Sequence, residues 1–362
     1  MSRRRVVVVG GGIIGLACAW RLAQAGCAVT VLDAAREARE ASWAAAGMLA
    51  PHHEADTDSP LWRLGCASLE RWPAFAAELA GDPGALDLRS AGGLLPLYAG
   101  EAPGLLDAKR AVLAHAGVAV RQLTGGELAA LEPALSPRCA AALLIPGGQV
   151  NPRLVVAALG EACARAGVEL RYGAAVAAIT GGTVALCDGG AVEGDEVVLA
   201  SGAWTPELAR LSGVELVGEA VKGQLLRLAA SDDLLRHFIH CHHAYLVPRR
   251  GLGVVIGATM VNAGFDRSED PQAIARLAAE ATSLVPALAG AAVLETWTGL
   301  RPRLCGGLPL LERISPTLII ATGHFRNGIL LTPITADIVT GLVMQRYAGI
   351  DLGPFSRAVS PG

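Results

Sequence analysis

The hydrophobic pattern opens with residues 6–9, an unbroken β-branched run suited to a parallel strand buried on both faces. The chain then passes Gly10, Gly12 and Gly15, and apolar residues recur at helical spacing over 14–25. A second apolar run, 28–32, ends in the polar Asp33. This order predicts strand, glycine turn, helix and strand. Later, Asn151-Pro152 carries the signature of an N-cap followed by proline in the first turn. It predicts a helix over 153–166, ended by Gly167, and then a strand over 168–172. Short apolar runs at 197–200 and 318–321 each lead into small residues, Ser201-Gly202 and Thr322-Gly323. Between these stretches, 91–98, 224–228, 244–248 and 254–258 are short and alternating or β-rich, with a helical segment at 272–283. A last helix is predicted over 333–347, with Thr332 as cap and Pro333 at its first position.

The pattern predicts an α/β fold. A Rossmann-like parallel sheet with helices is expected from three separate stretches, 1–85, 146–220 and 310–362. An α+β part with a mostly antiparallel sheet is expected from 86–145 and 221–309. The length of 362 residues suits two such domains at about 150 residues each.

Composition narrows the function classes. Hydrophobic residues make up 52% and charged residues 17%, which excludes a disordered chain. A net charge of −3 leaves no basic excess for a nucleic-acid backbone. Lys109 and Lys222 are the only lysines, so arginine carries nearly all the positive charge. The eight cysteines form no CxxC pair and read as reduced, mostly buried thiols of a cytoplasmic protein. Outside the N-terminal stretch, no 18-residue run is free of charge and glycine breaks, so a membrane span is not expected.

The N-terminal stretch has two readings. Arg3, Arg4 and Arg5, an apolar run and Ala17-Cys18-Ala19 resemble a secretory signal. Alternatively, GxGxxG follows a strand and opens a helix, and Asp33 ends a second strand 23 residues after Gly10. A signal peptide has no reason to supply that strand and that acid, so the dinucleotide-binding reading is preferred. Gly10 permits the tight turn, Gly12 lets a pyrophosphate approach, and Gly15 lets the helix pack on the strand. The helix N-terminus offers free N–H groups to phosphates, and Asp33 suits ribose hydroxyls. These residues do not separate FAD from NAD.

A second signal comes late in the chain. Gly323-His324-Phe325-Arg326-Asn327-Gly328 follows a strand and precedes the Thr332-Pro333 helix start. A helix N-terminus there suits the negative charge of a reduced flavin. A plain strand-turn-helix crossover would carry the same caps.

Four stretches together are narrower. They are Gly10-Gly11-Gly12-Ile13-Ile14-Gly15-Leu16, Ala44-Ala45-Ala46-Gly47-Met48-Leu49-Ala50-Pro51, Thr298-Gly299-Leu300-Arg301-Pro302, and the run GHFRNGILL at 323–331. In order and spacing, the chain resembles the FAD-dependent glycine oxidases of the thiamine-biosynthesis type, within the D-amino acid oxidase superfamily. The resemblance covers nearly the whole chain. It implies non-covalently bound FAD, with Gly10, Gly12 and Gly15 in the turn. Further contacts are implied at Ile13, Ile14, Asp33, Ala34, Ala41, Ser42, Ala46, Gly47, Met48 and Val176, and at His324, Phe325, Arg326, Asn327, Gly328, Ile329 and Leu330. It implies substrate contacts at Tyr245, Arg301 and Arg326, and a pocket lined by Met48 and Met260. It also implies a small amino acid and O2 as reactants, and a homotetramer.

The implied chemistry suits the residues. Arg301 would grip a carboxylate bidentately, Tyr245 would donate its phenolic O–H, and Arg326 would add charge or shape the loop. The flavin does the redox work, so no Ser-His-Asp or paired-carboxylate signature is required. Related substrates such as sarcosine, D-alanine or D-proline, and a carrier in place of O2, stay open. So do a non-catalytic nucleotide-binding module, which Tyr245 and Arg301 disfavour, and an NAD-dependent dehydrogenase, which the late GHFRNGILL run disfavours.

Some residues depart from the family or distract. Arg303-Leu304-Cys305-Gly306 lacks the Thr and Asp usual after the RP motif, and Glu312 stands where glycine is common, which puts substrate preference in question. Cys305 raises a covalent flavin link, but its surroundings do not match the sarcosine oxidases that make one. His237, His240, His242 and His243 with Cys241 resemble a metal site without an evident further ligand, so no metal is expected. His52-His53-Glu54 is expected near the pocket rim.

Overall fold

The Arg5–Val9 strand lies inside a six-stranded sheet in a computed structural model of the chain, which describes residues 3–35, 40–54, 58–98, 101–102, 104–241, 244–346 and 349–357. The strand order is Leu310–Ser315, Leu318–Thr322, Glu196–Leu199, Arg5–Val9, Ala28–Asp33 and Glu169–Tyr172. All neighbours run parallel except the edge hairpin of Leu310–Ser315 with Leu318–Thr322. The sheet therefore gathers strands from the three separate stretches that the sequence suggested.

The β-branched run has a direct explanation. Val6 and Val8 pack with the helices Ile13–Gln24, Pro60–Ala80, Pro152–Arg165 and Thr332–Val343 on one face. Val7 and Val9 pack on the other face with Ile179, Val184 and Ala209. A strand covered on both sides has no solvent position for a polar residue. That second cover includes a three-stranded antiparallel sheet, Val176–Thr180, Thr183–Leu186 and Ala191–Glu193, which the sequence pattern did not reveal.

Nine of the remaining strands form a mostly antiparallel sheet, and the other two, Met48–Leu49 and Gly148–Gln149, pair antiparallel by themselves. The one parallel pairing of the nine-stranded sheet joins Phe238–His240 to Gly93–Tyr98. The predicted strand at 224–228 is the end of a longer one, Gly218–Leu228, which pairs along its length with Val293–Leu304. Helix Pro271–Leu284 covers this sheet near the predicted position.

Two helix starts test the capping argument. Asn151 caps Pro152–Arg165 as expected, its side chain accepting from the Arg153 N–H at 3.1 Å. Thr332 does not cap its helix. Helical turning begins earlier, since Leu331 N–H already donates to the Asn327 carbonyl, and Leu331 takes the N-cap position. Thr332 instead donates its hydroxyl to the Gly328 carbonyl at 2.8 Å. That helix ends at Val343, short of the predicted 347, and Tyr347 lies outside the described residues. No described helix is long and apolar enough to cross a membrane.

Candidate active site

The glycine turn joins strand to helix with no room for side chains. Gly10 has φ +115°, and a Cβ there would lie 2.4 Å from the Ala200 carbonyl oxygen. A Cβ on Gly15 would lie 1.8 Å from the Gly10 oxygen. Only glycine lets the helix Ile13–Gln24 start this close to the strand. Its own N-cap, Gly12, offers no side chain. Ser42 supplies the cap from elsewhere in the chain, accepting from the Ile13 N–H at 3.0 Å. Asp33 is fixed by backbone donors, from Gly11 at 2.6 Å and Ala35 at 2.7 Å. Its carboxylate keeps lone pairs for further donors.

These groups line one cavity of about 390 Å³. All the residues expected at the cofactor line it except Gly15 and Leu330. Gly15 is spent on packing beneath the turn. Leu330 is buried behind the wall, its carbonyl accepting from Ser68 Oγ at 2.6 Å and Trp72 Nε1 at 3.0 Å. Ser201 also lines the cavity, and its buried hydroxyl has no hydrogen-bond partner among the described residues. The glycine turn, the capped helix start, the fixed acid and this orphaned hydroxyl fit a dinucleotide. His324 is buried in the wall, with Nε2 3.0 Å from Thr335 Oγ1, and burial lowers its pKa to about 4.

A second cavity of about 440 Å³ adjoins the first. Glu54, Tyr245, Arg301 and Arg326 line both. Arg301 stands on Val293–Leu304, and its Nη1 donates to the Thr259 carbonyl at 3.1 Å. Two glycines make space here. A Cβ on Gly223 would lie 2.3 Å from Arg301 Nη2, and one on Gly257 would lie 2.5 Å from the Tyr245 ring. The Tyr245 phenol is pushed up by burial and drawn back by the Arg301 charge beside it. Arg326, expected as a substrate ligand, already holds a carboxylate: its Nη2 donates to Glu54 Oε1 at 3.1 Å. Burial raises the Glu54 pKa, with Arg326 and Arg301 opposing.

Met48 lines the first cavity, while Met260 is 58% exposed and borders the second. Same-face residues of Val293–Leu304 tie Arg301 to the loop before Met48. Trp297 Nε1 donates to the Ala44 carbonyl at 2.9 Å, and Gly299 faces Ala44, where a Cβ would lie 2.5 Å from the alanine methyl.

The distractors resolve differently. His237 is buried against Glu132, Nδ1 to Oε2 at 2.8 Å. His240 lines the second cavity and packs on His53, while His242 and His243 lie outside the described residues. None of the eight cysteines is in a disulfide, and Cys305 is exposed. The departure at 303–306 and Glu312 line neither cavity. Glu54 was expected only at the rim, and nothing in its spacing points to its pairing with Arg326. Gly223, Gly257 and Thr259 were not foreseen, because their role is to leave space or a carbonyl for a distant side chain.

Comparison with known proteins agrees with this geometry. A glycine oxidase of Geobacillus kaustophilus is 36% identical over 98% of this chain and 96% of its own. A glycine oxidase of Pseudomonas putida is 32% identical over 98% of both. A bifunctional ThiO/ThiG protein of Nostoc sp. is 33% identical over 95% of this chain, which spans 53% of that protein. The crystal structure of the Geobacillus kaustophilus glycine oxidase superposes with TM-score 0.92, at 34% identity, over 99% of this chain and 100% of that one. That of an iminodiacetate oxidase from Chelativorans sp. BNC1 does so with TM-score 0.89, at 25% identity, over 97% and 98%. The FAD dependent oxidoreductase family, DAO, matches residues 5–342, so the chain belongs to that family and is a flavoenzyme with FAD as its cofactor.

Proposed function

We propose that the protein oxidises glycine to glyoxylate and ammonia, with O2 reduced to H2O2. The observation that carries this reading is the meeting of Arg301 and Tyr245 where the second cavity opens onto the first. Full-length similarity to glycine oxidases supports it.

FAD, when bound, supplies the acceptor for a hydride from the substrate Cα. The chain would hold it with the turn at Gly10, Gly12 and Gly15, and with Ile13, Ile14, Asp33, Ala34, Ala41, Ser42, Ala46, Gly47, Met48 and Val176. The 324–330 segment would complete the hold. Asp33 suits the ribose hydroxyls, and the helix start at Ile13 suits the pyrophosphate. Arg301 would clamp the substrate carboxylate as a fork, with Tyr245 donating to the same group. Two fixed contacts on one carboxylate set the direction of the Cα–H bond, which is the main rate contribution asked of the protein. The imine released from this step hydrolyses to glyoxylate and ammonia. We further read 1–85, 146–220 and 310–362 as the FAD-binding domain, and 86–145 and 221–309 as the substrate domain.

The fused ThiO/ThiG relatives favour supply of the glycine imine to thiazole synthesis. Eight cysteines with no disulfide suit the cytoplasm. The family resemblance favours a homotetramer. A second reading rests on the second cavity, which at about 440 Å³ is far larger than glycine. It admits sarcosine or a small D-amino acid. Anaerobic addition of glycine to the yellow protein tests the first reading. Bleaching by glycine supports it, and bleaching only by sarcosine or D-alanine moves the substrate to the second reading. Protein that neither carries nor takes up FAD overturns both. Catalase-sensitive peroxide on admitting air separates an oxidase from a dehydrogenase.

A further inference from the structure

We propose that Glu54 receives the substrate's ammonium group and takes the proton that leaves it before the Cα–H bond breaks. This rests on the amino acid oxidase reading above.

The four residues shared by the two cavities are two arginines, a phenol and a carboxylate. A zwitterionic amino acid needs a cationic clamp at one end and an anion at the other. Arg301 and Tyr245 supply the clamp. Glu54 is the one carboxylate among the described residues that lines both cavities. Its side chain is 12% exposed. Oε1 accepts from Arg326, and Oε2 makes no hydrogen bond to a described residue. An acceptor oxygen is therefore open beside the clamp, on a side chain that is mostly buried.

Arg326 then has a different role from Arg301. It holds Glu54 in place rather than the substrate carboxylate. Burial raises the proton affinity of Glu54 above that of an exposed carboxylate, and the two arginines oppose the rise without cancelling it. A base for an ammonium needs both the negative charge and that raised affinity.

The step balances. The N–H bond of the ammonium breaks, its electron pair stays on nitrogen, and the proton forms an O–H bond on Glu54. The neutral amine left behind is the form that would give up hydride from Cα to FAD, when bound, its nitrogen lone pair completing the C=N bond. Glu54 returns its proton to solvent through the second cavity. The charged and titratable groups facing Glu54 are Arg326, Arg301 and Tyr245. His52 and His53 share its helical turn, and His240, Lys109 and Glu101 line the second cavity.

The test uses FAD-loaded E54Q and E54D. The readouts are the anaerobic rate of flavin bleaching by glycine across pH, and the dissociation constant of acetate, a carboxylate without an amine. The expected E54Q loss is at least about 100-fold at neutral pH, as for a missing general base. It shrinks as pH rises, because glycine then arrives as the neutral amine. Acetate binding is unchanged, and E54D recovers part of the rate. An E54Q rate that parallels wild type at every pH overturns the proposal. So does an equal loss of acetate binding, which would make Glu54 a support for the clamp only. If E54Q fails to retain FAD, the same slope read on E54D decides. Wild-type protein bleached by no small amino acid overturns the underlying reading as well, whereas the variant outcomes bear on Glu54 alone.

Discussion

The guanidinium of Arg301 lies across the bare backbone of Gly223: a Cβ at that glycine would come 2.3, 2.4 and 2.5 Å from Nη2, Nη1 and Cζ. The two residues sit on paired strands, with Arg301 opposite Val221 and Gly299 opposite Gly223. The side chain therefore leans diagonally over the glycine toward the cavity. Gly223→Ala is expected to displace the guanidinium while leaving FAD bound. The lost charge-assisted contact is worth about 1.5–3 kcal/mol, or roughly 10- to 150-fold in kcat/KM for glycine. Steady-state kinetics on flavin-matched samples check this.

Removing the side chains themselves sorts their roles. Arg301→Leu should cost at least as much as Gly223→Ala, and acetate should no longer perturb the flavin spectrum. Tyr245→Phe removes one neutral donor and should cost about 0.5–1.5 kcal/mol, a few-fold to tenfold in kcat/KM. Normal glycine kinetics in Arg301→Leu would remove it from the substrate site.

Ser42 reaches the helix Ile13–Gln24 across 29 positions of sequence to bond the Ile13 N–H. Ser42→Ala should cost about 1 kcal/mol of stability by uncapping that helix. Since the same helix start faces the cofactor cavity, FAD affinity should fall as well. Thermal melts with and without excess FAD separate the two effects. An unchanged melting temperature in both conditions would show that the cap contributes nothing.

His324 makes stability depend on pH with a definite sign. Burial holds its folded-state pKa at about 4, against 6.5 for an ordinary histidine. Between these values the unfolded chain takes up a proton that the folded chain refuses. Stability from this residue is present above about pH 6.5 and is lost as pH falls toward 4, on the order of 3 kcal/mol in all. His324→Gln should flatten that part of the profile of melting temperature against pH. The buried His53, lowered by the same cause, keeps some slope in the variant.

What was legible in the sequence followed from local rules. The run at 6–9 announced its two-sided burial because each valine meets a packed layer. Asn151 announced its helix because the cap needs only the residue two positions on. The three-stranded sheet at 176–193 stayed hidden because strands of three to five residues carry too little period to stand out from turns. Thr332 misled because a tertiary turn at 327–331 had already started the helix. At the site, Arg301 and Tyr245 carried a chemical signature, and family resemblance lifted them from the background. Ser42, Glu54, Gly223 and Gly257 act through partners far along the chain, and spacing holds no trace of that.

The contacts along Val293–Leu304 carry a mechanical consequence. Trp297, Gly299 and Arg301 lie on one face, the first two against Ala44 and the third at the second cavity. On the proposed function, the strand acts as a gauge block between the short helix Ala41–Ala44 at the first cavity and the guanidinium that would aim the substrate. Losing one residue between Gly299 and Arg301 would not shift the guanidinium slightly; it would turn it to the opposite side of the sheet. The exposed Met260 lies off this strand, so the wall of the second cavity there can change without moving the guanidinium, whereas the strand's length cannot.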